Sequence, residues 1–329
     1  MGVGIKDIAA KAGVSASTVS NVVNNRANVG EETRALVLKL CQEMNYIPNA
    51  AGKSLKTKDS KTILFNFSDF DRSFYLKIIE GINDYAGDNG YDLMICTTKS
   101  CEKYMRNNLT AGCIILDGKM KNEVLLRTAA EHYPIVVLDR ALPSPFIKSV
   151  VVNNYDPMTE LVQETVKRGY RKYVFVGGPE HTEDNKERFG AFSDVLKKAG
   201  IAFDRKYYYS GDYREKSGYQ AAKIFMYTED LPEIFVCAND NMAIGVIKAL
   251  REGGCRIPED AAVTGFDNCE LAETVELTTV NIPNYERGYL AARSLIENID
   301  GRKNFEPMKI SAGVSWGKTL GIPRTKTTK

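Results

Sequence analysis

Ser17, Thr18, Ser20, Asn21 and Asn24 fall within a ten-residue stretch, 16–25, that holds no Asp, Glu, Lys or Arg. Short hydroxyl and amide side chains can approach a base edge or a phosphate closely. A solvated helix normally carries Glu and Lys, whereas a face free of carboxylates suits contact with phosphates. A second set of polar residues recurs at the ends of β-rich runs: Asp69 and Asp71, Asp139-Arg140, Asn239-Asp240 and Asp267-Asn268. Arg188 opens a helical stretch, and Tyr213 follows Gly211-Asp212. Asp accepts from two hydroxyls, and the Arg fork holds a carboxylate, a phosphate or a hydroxyl pair. Gathered around an aromatic ring, such residues suit a hydroxyl-rich or charged small molecule. Taken singly, each Asp or Asn reads equally as a helix cap, Asp240 among them.

Enzyme patterns fail on inspection. Gly313-Val314-Ser315-Trp316-Gly317 has the G-x-S-x-G form of a nucleophile elbow, but no His, Asp or Glu follows Ser315. The first β-rich run leads into Ser68-Asp69-Phe70-Asp71 rather than a dinucleotide-binding G-x-G-x-x-G. Gly317-Lys318-Thr319 resembles the end of a P-loop, but Ala312 stands where its first glycine belongs. No catalytic residue is assigned. Seven cysteines without a CxxC pair read as small apolar residues of a reducing compartment. His132 and His181 are the only histidines and neither lies near two cysteines, so neither a metal nor a cofactor is expected.

The elements that must position these residues divide in two. Residues 1–60 carry eight Lys or Arg against five Asp or Glu, a net +3 that leaves −1 for the remainder of a +2 chain. A small basic head on a near-neutral body suits a polyanion partner for the head. Ile5, Ile8, Ala9 and Ala12 recur at helical spacing, and Gly13 stops that helix. Ser15 caps a second helix, about 16–24, with Val19, Val22 and Val23 inside. A third follows Gly30-Glu31-Glu32, with Leu36, Val37, Leu40 and Met44 as its apolar stripe; Asn45 caps it and Pro48 prevents continuation. Helix, glycine turn, polar-faced helix and third helix make a helix-turn-helix.

After Lys61 strands and helices alternate. Strands are expected at 62–67, 91–96, 113–116 and 135–138, then at 173–176, 206–210, 234–237 and 262–265. Helices are expected at 75–89, with Leu76, Ile79, Ile82 and Ala86 inside, and near 156–168, 184–199, 216–227 and 241–252. Two such sets imply two doubly wound α/β lobes of parallel sheet, with a cleft at the strands' carboxyl ends. No apolar run reaches the ~18 residues that cross a bilayer. The N-terminal segment fits neither a secretory signal nor a myristoylation site, since Lys6 stands where Ser or Thr is needed. A cytoplasmic protein without a membrane partner is expected.

The run Ile5-Lys6-Asp7-Ile8-Ala9, Ala12-Gly13-Val14-Ser15-Ala16-Ser17-Thr18-Val19-Ser20 and Val23-Asn24 resembles the lactose-repressor (LacI/GalR) family of bacterial transcription regulators. So do Asn45-Tyr46-Ile47-Pro48-Asn49-Ala50 and Lys53-Ser54-Leu55-Lys56, and the resemblance covers almost the whole chain. It implies a helix-turn-helix domain over 1–48, a hinge over 49–60, and a periplasmic-binding-protein-like body over 61–329. Lobe 1 would comprise about 61–155 and 284–310, lobe 2 about 156–283 and 311–329, with three crossings between them. It implies double-stranded operator DNA as partner, contacted through Ile5, Ser15, Ala16, Ser17, Thr18, Ser20, Asn21, Asn24, Asn28 and Thr33. Leu55 would wedge into a base step with Lys56 beside it; read from residues alone, 49–60 is a plain linker, too short for a stable helix. It further implies an effector cleft lined by Asp71, Phe74, Asp139, Arg188, Tyr213, Asn239 and Asp267. A homodimer and, as in some relatives, a phosphoprotein co-effector complete the implied partners.

The sequence departs from the family in places. Asn21 stands where many members carry a guanine-reading arginine. Ala16 and Ser17 are short, which favours shape readout. Segment 97–111 is shorter than usual, and the tail from Ser311 carries Lys318, Arg324, Lys326 and Lys329. The resulting expectation is a dimeric repressor on a pseudo-palindromic operator, controlled by a small carbohydrate-like effector. The alternative is a sensor on the same fold with weak or non-selective DNA binding.

Overall fold

The computed structural model describes residues 3–46, 60–68, 74–228, 231–302 and 308–323. The chain forms two compact units, Met1–Ser60 and Lys61–Lys329. Leu55, Lys56 and Asp71 lie outside the described residues.

The first unit holds α1 (Ile5–Ala12), α2 (Ala16–Val23) and α3 (Glu31–Glu43). Gly13 ends α1 at φ 66°, a left-handed conformation that glycine adopts without strain. The Ser15 hydroxyl accepts the Thr18 amide at 3.0 Å and so caps α2. Asn45 takes φ 49° beyond α3. Ile8, Ala9, Val19, Val22, Val37 and Leu40 form the small core. The expected stripe of α3 needs one correction. Leu36 is 45% exposed: the buried line runs through Val37 and Leu40, and Leu36 falls at its edge, about 100° from Val37.

The second unit begins with β1 (Thr62–Phe67), α4 (Phe74–Asp88), β2 (Asp92–Cys96), α5 (Thr98–Arg106), β3 (Gly112–Leu116) and α6 (Asn122–Ala130). It continues through β4 (Ile135–Val137), β5 (Ile147–Val152), α7 (Tyr155–Lys167), β6 (Tyr173–Gly177) and α8 (Glu183–Lys198). Next come β7 (Tyr208–Ser210), α9 (Glu215–Met226), β8 (Ile234–Cys237), α10 (Asp240–Glu252) and β9 (Ala262–Asp267). The chain closes with α11 (Glu270–Thr274), β10 (Thr278–Asn281), α12 (Asn284–Ile299), β11 (Met308–Ile310) and β12 (Gly313–Ser315).

Two six-stranded sheets result, ordered β11-β5-β4-β3-β1-β2 and β12-β10-β9-β8-β6-β7. The two orders are the same when each is counted from its own first strand, so each lobe has a switch point, at β1/β3 and at β6/β8. All the pairings are parallel except β10 with β12, which is antiparallel and corrects the expectation of purely parallel sheets. The chain changes sheet after β5, after β10 and after β11. The expected inside of α4 also shifts. Tyr75, Ile78, Ile82 and Ala86 are buried, while Leu76 is 63% exposed. Among the described residues no helix is long and apolar enough to cross a membrane.

Candidate functional site

A cavity of about 720 Å³ opens between the lobes at the carboxyl ends of the switch-point strands. Ser68, just after β1, and Leu116, at the end of β3, border it, with Pro179 from the loop after β6. Of the expected cleft residues, Phe74, Asp139, Arg188, Tyr213 and Asp267 line this cavity. Asn239 does not. It is 2% exposed, its Oδ1 accepts the Met242 amide at 3.1 Å as the cap of α10, and its Nδ2 donates to the Tyr213 carbonyl at 3.0 Å. The capping role considered for Asp240 therefore belongs to its neighbour. Asp240 is buried, accepting the Cys269 amide at 2.7 Å and the Thr279 hydroxyl at 2.5 Å.

Arg188, in the second turn of α8, is held by the protein on three sides. Nε donates to Asn154 Oδ1 at 2.9 Å, Nη1 to the Ala238 carbonyl at 2.6 Å, and Nη2 lies 3.7 Å from Asp267 Oδ1. Its guanidinium sits 3.8 Å over the Phe266 ring. Asp267 ends β9 at φ 111° and Asn268 follows at φ 53°. Backbone in this region costs a non-glycine residue roughly 1–3 kcal/mol and tends to mark functional sites. Tyr213 is likewise at φ 67°, with its ring laid on Gly178, where a Cβ would come within 2.1 Å of it.

From lobe 1, both carboxylate oxygens of Asp139 accept from Arg140 Nη1, at 2.8 and 2.7 Å. Arg140 also reaches Asn122 Oδ1 at 2.8 Å and the Met120 carbonyl at 2.7 Å. Burial pushes the Asp139 carboxyl up to about 6, against the pull of Arg140 and with a further push from Asp184. Sequence reasoning missed Asn154, Asp184 and Arg287. Asn154 follows β5, and its Nδ2 donates to Asp184 Oδ1 at 3.0 Å while its Oδ1 receives Arg188. Arg287, in the first turn of α12, is 5% exposed and lines the cavity. A buried arginine within a helix looks, by letter alone, like a solvated face. Trp316 does not line the cavity; its ring stacks near Arg168, 5.6 Å from the guanidinium carbon.

In the first unit, Ser15 Oγ lies 2.6 Å from Ser17 Oγ and 2.9 Å from Thr18 Oγ1, so three hydroxyls cluster at the amino end of α2. Asn24 Nδ2 donates to the Ser20 carbonyl at 2.7 Å. Ala16, Asn21, Ser20 and Asn24 are half-buried and Ser17 exposed. Ile5 begins α1, Asn28 is exposed in the α2–α3 loop, and Thr33 lies in the first turn of α3. Arg34, another residue that sequence reasoning missed, pins that loop through Asn25 Oδ1 at 2.8 Å and the Arg26 carbonyl.

A helix-turn-helix unit joined to a two-lobed α/β body with a cleft defines a ligand-binding DNA regulator, and comparison with known proteins agrees. Residues 4–49 match bacterial regulatory proteins of the lacI family, and residues 162–320 match the periplasmic binding protein-like domain. The chain is 31% identical over 307 residues to the HTH-type transcriptional repressor PurR of Vibrio atlanticus, covering 90% of this chain and 91% of that one. It is 28% identical over 320 residues to the HTH-type transcriptional regulator RegA of Clostridium saccharobutylicum, covering 93% and 96%. Among solved structures it is similar to the lac repressor dimer bound to operator and the anti-inducer ONPF, with TM-score 0.82, 26% identity and coverage of 98% and 100%. It is similar also to a complex of the transcriptional regulator CelR with cellobiose, with TM-score 0.72, 25% identity and coverage of 97% and 100%. The chain belongs to the lacI family of bacterial regulatory proteins. It is a DNA-binding transcriptional repressor with a ligand-binding domain, and the relatives it matches are regulators rather than enzymes.

Proposed function

We propose that the chain binds a pseudo-palindromic operator as a homodimer and that a small, sugar-like effector in the interlobe cavity controls this binding. The observation that carries the reading is that both lobes supply polar or aromatic side chains to one cavity: Phe74 and Asp139 from one, Arg188, Tyr213 and Asp267 from the other. A ligand touching both lobes binds their closed arrangement more tightly, and that differential affinity is what shifts a two-state equilibrium. The cellobiose complex of CelR supports a carbohydrate as the ligand class. The operator-bound lac repressor dimer supports the DNA and dimer assignments.

On this reading, 1–48 is the DNA-binding domain, 49–60 the hinge and 61–329 the effector-binding and dimerisation body. The hydroxyls at the start of α2, with Asn21 and Asn24, meet bases and phosphates. Leu55 wedges the minor groove with Lys56 beside it. Leu76, 63% exposed on α4, and Leu271, 53% exposed on α11, belong to the surface a second copy covers.

The test is a thermal-shift screen of the full chain against sugars, sugar phosphates and purines, followed by a mobility-shift assay with each hit. A ligand at 100-fold its Kd adds ~2.7 kcal/mol of stability, a readily measured shift. The expected result is a sugar-type hit that alters operator affinity. A hit that binds in the cavity and leaves operator affinity unchanged would refute effector control.

A further inference from the structure

Arg287 brings a positive charge to the cavity wall, and among the described residues no carboxylate touches it. Its Nη2 donates to the buried Leu138 carbonyl at 2.7 Å, while its Nε is buried with no hydrogen-bond partner. Among the described residues it forms no ion pair. The acids around it are engaged elsewhere: Asp139 by Arg140, Asp184 by Asn154, and Asp267 by Arg188. The charges of Asp184, Asp139 and Asp267 act on Arg287 from a distance, and that of Arg188 opposes them. A buried arginine whose counter-charges lie beyond contact still carries a desolvation cost, and so does a buried N–H without an acceptor. The charge cost is relieved if the cavity's ligand brings an anion to the guanidinium where it lines the wall.

We propose that the effector carries an oxyanion, a phosphate or a carboxylate, and that Arg287 is the residue of α12 that recognises it. This deepens the effector reading above and rests on it. The planar fork of arginine suits a bidentate oxyanion, and its charge discriminates an acidic sugar from the neutral parent. Arg287 thereby becomes a specificity-determining residue, distinct from the Arg188–Asp267 pair that grips hydroxyls in lobe 2.

The probe is inorganic phosphate, set against chloride at equal ionic strength, with thermal unfolding of the full chain as the readout. Glucose, glucose 6-phosphate and glucuronate then separate the two sources of the oxyanion. Phosphate is expected to raise the wild-type Tm, and at least one acidic sugar to stabilise more than glucose. Arg287→Leu removes the charge; Arg287→Gln also removes it but keeps a donor for the Leu138 carbonyl, should the leucine variant fail to fold. Either variant should lose the phosphate response and bind the acidic sugar at least ~10-fold more weakly. An equal phosphate response in wild type and variant, or none in either, overturns the proposal. Operator selection by the same preparation is read separately. A protein that ignores phosphate but still selects two-fold symmetric DNA loses the oxyanion assignment alone.

Discussion

Arg188 and Asp267 form a contact in which each residue holds the other and the protein around it. Removing the guanidinium in Arg188→Ala strands the Asn154 side chain, the Ala238 carbonyl and the Asp267 carboxylate. A charge-assisted hydrogen bond lost in this way costs ~1.5–3 kcal/mol, or about 10- to 150-fold in affinity where the ligand shares it. Arg188→Ala should therefore abolish the effector response and lower Tm together, as calorimetry and thermal melts would show. Wild-type effector affinity in that variant would leave Arg188 with a packing role only. Asp240 gives a pH signature of its own. Burial, and then the charge of Asp267, push its carboxyl up to about 8. A carboxyl raised above its ordinary value of ~4 takes up a proton on folding between the two values, so stability falls as pH climbs through that window and levels off above it. Asp139, raised to about 6, adds a parallel fall at the acid end. Asp240→Asn mimics the protonated carboxyl and should flatten denaturant-melt stability between about 6 and 8. An unchanged slope there would mean that Asp240 is not the titrating group.

At the scale of elements, each lobe is locked by helices that touch through glycine. On α4 and α12, a Cβ at Gly81 would lie 2.1 Å from the Tyr285 carbonyl oxygen, and one at Gly288 2.1 Å from that of Ile78. Gly218 on α9 and Gly245 on α10 repeat the device in lobe 2, each at 2.0 Å. Gly81→Ala should thus destabilise by ~1–3 kcal/mol through overpacking. Gly87→Ala, six residues along the same helix with open space around it, should stabilise by up to ~1 kcal/mol. Equal effects at the two sites would remove the close-approach account. The same helices show how far the sequence is legible. Periodicity locates α4, but an apolar run with Leu76, Ile78, Ile79 and Ile82 fits two neighbouring registers, and only packing against α12 selects the one that exposes Leu76. The motif in α2 is readable because its hydroxyls and glycine turn are local. Arg287 is not, because its burial depends on the Leu138 carbonyl, 149 residues away in the chain. The capping by Asn239 lay between two readings that the sequence left open, and the geometry selects one.

For the whole molecule, binding of a basic head to DNA releases counterions. Operator affinity should fall steeply with salt, with a log–log slope of about 0.9 per phosphate neutralised, and a flat plot would argue against DNA as the head's partner. If Leu55 wedges a base step as proposed, Leu55→Ala should reduce both specific binding and DNA bending while the body stays folded, because such a wedge offsets the cost of unstacking. Unchanged bending in a gel-phasing assay would return 49–60 to the role of a linker. Effector and operator must also change each other's affinity by one common factor. The most direct measurement is selection of binding sites from random double-stranded DNA by the intact chain. Two heads related by a two-fold axis require two half-sites in mirror arrangement at a fixed spacing. The account predicts enrichment of a pseudo-palindrome. Enrichment of single asymmetric half-sites, or of no sequence at all, would contradict it.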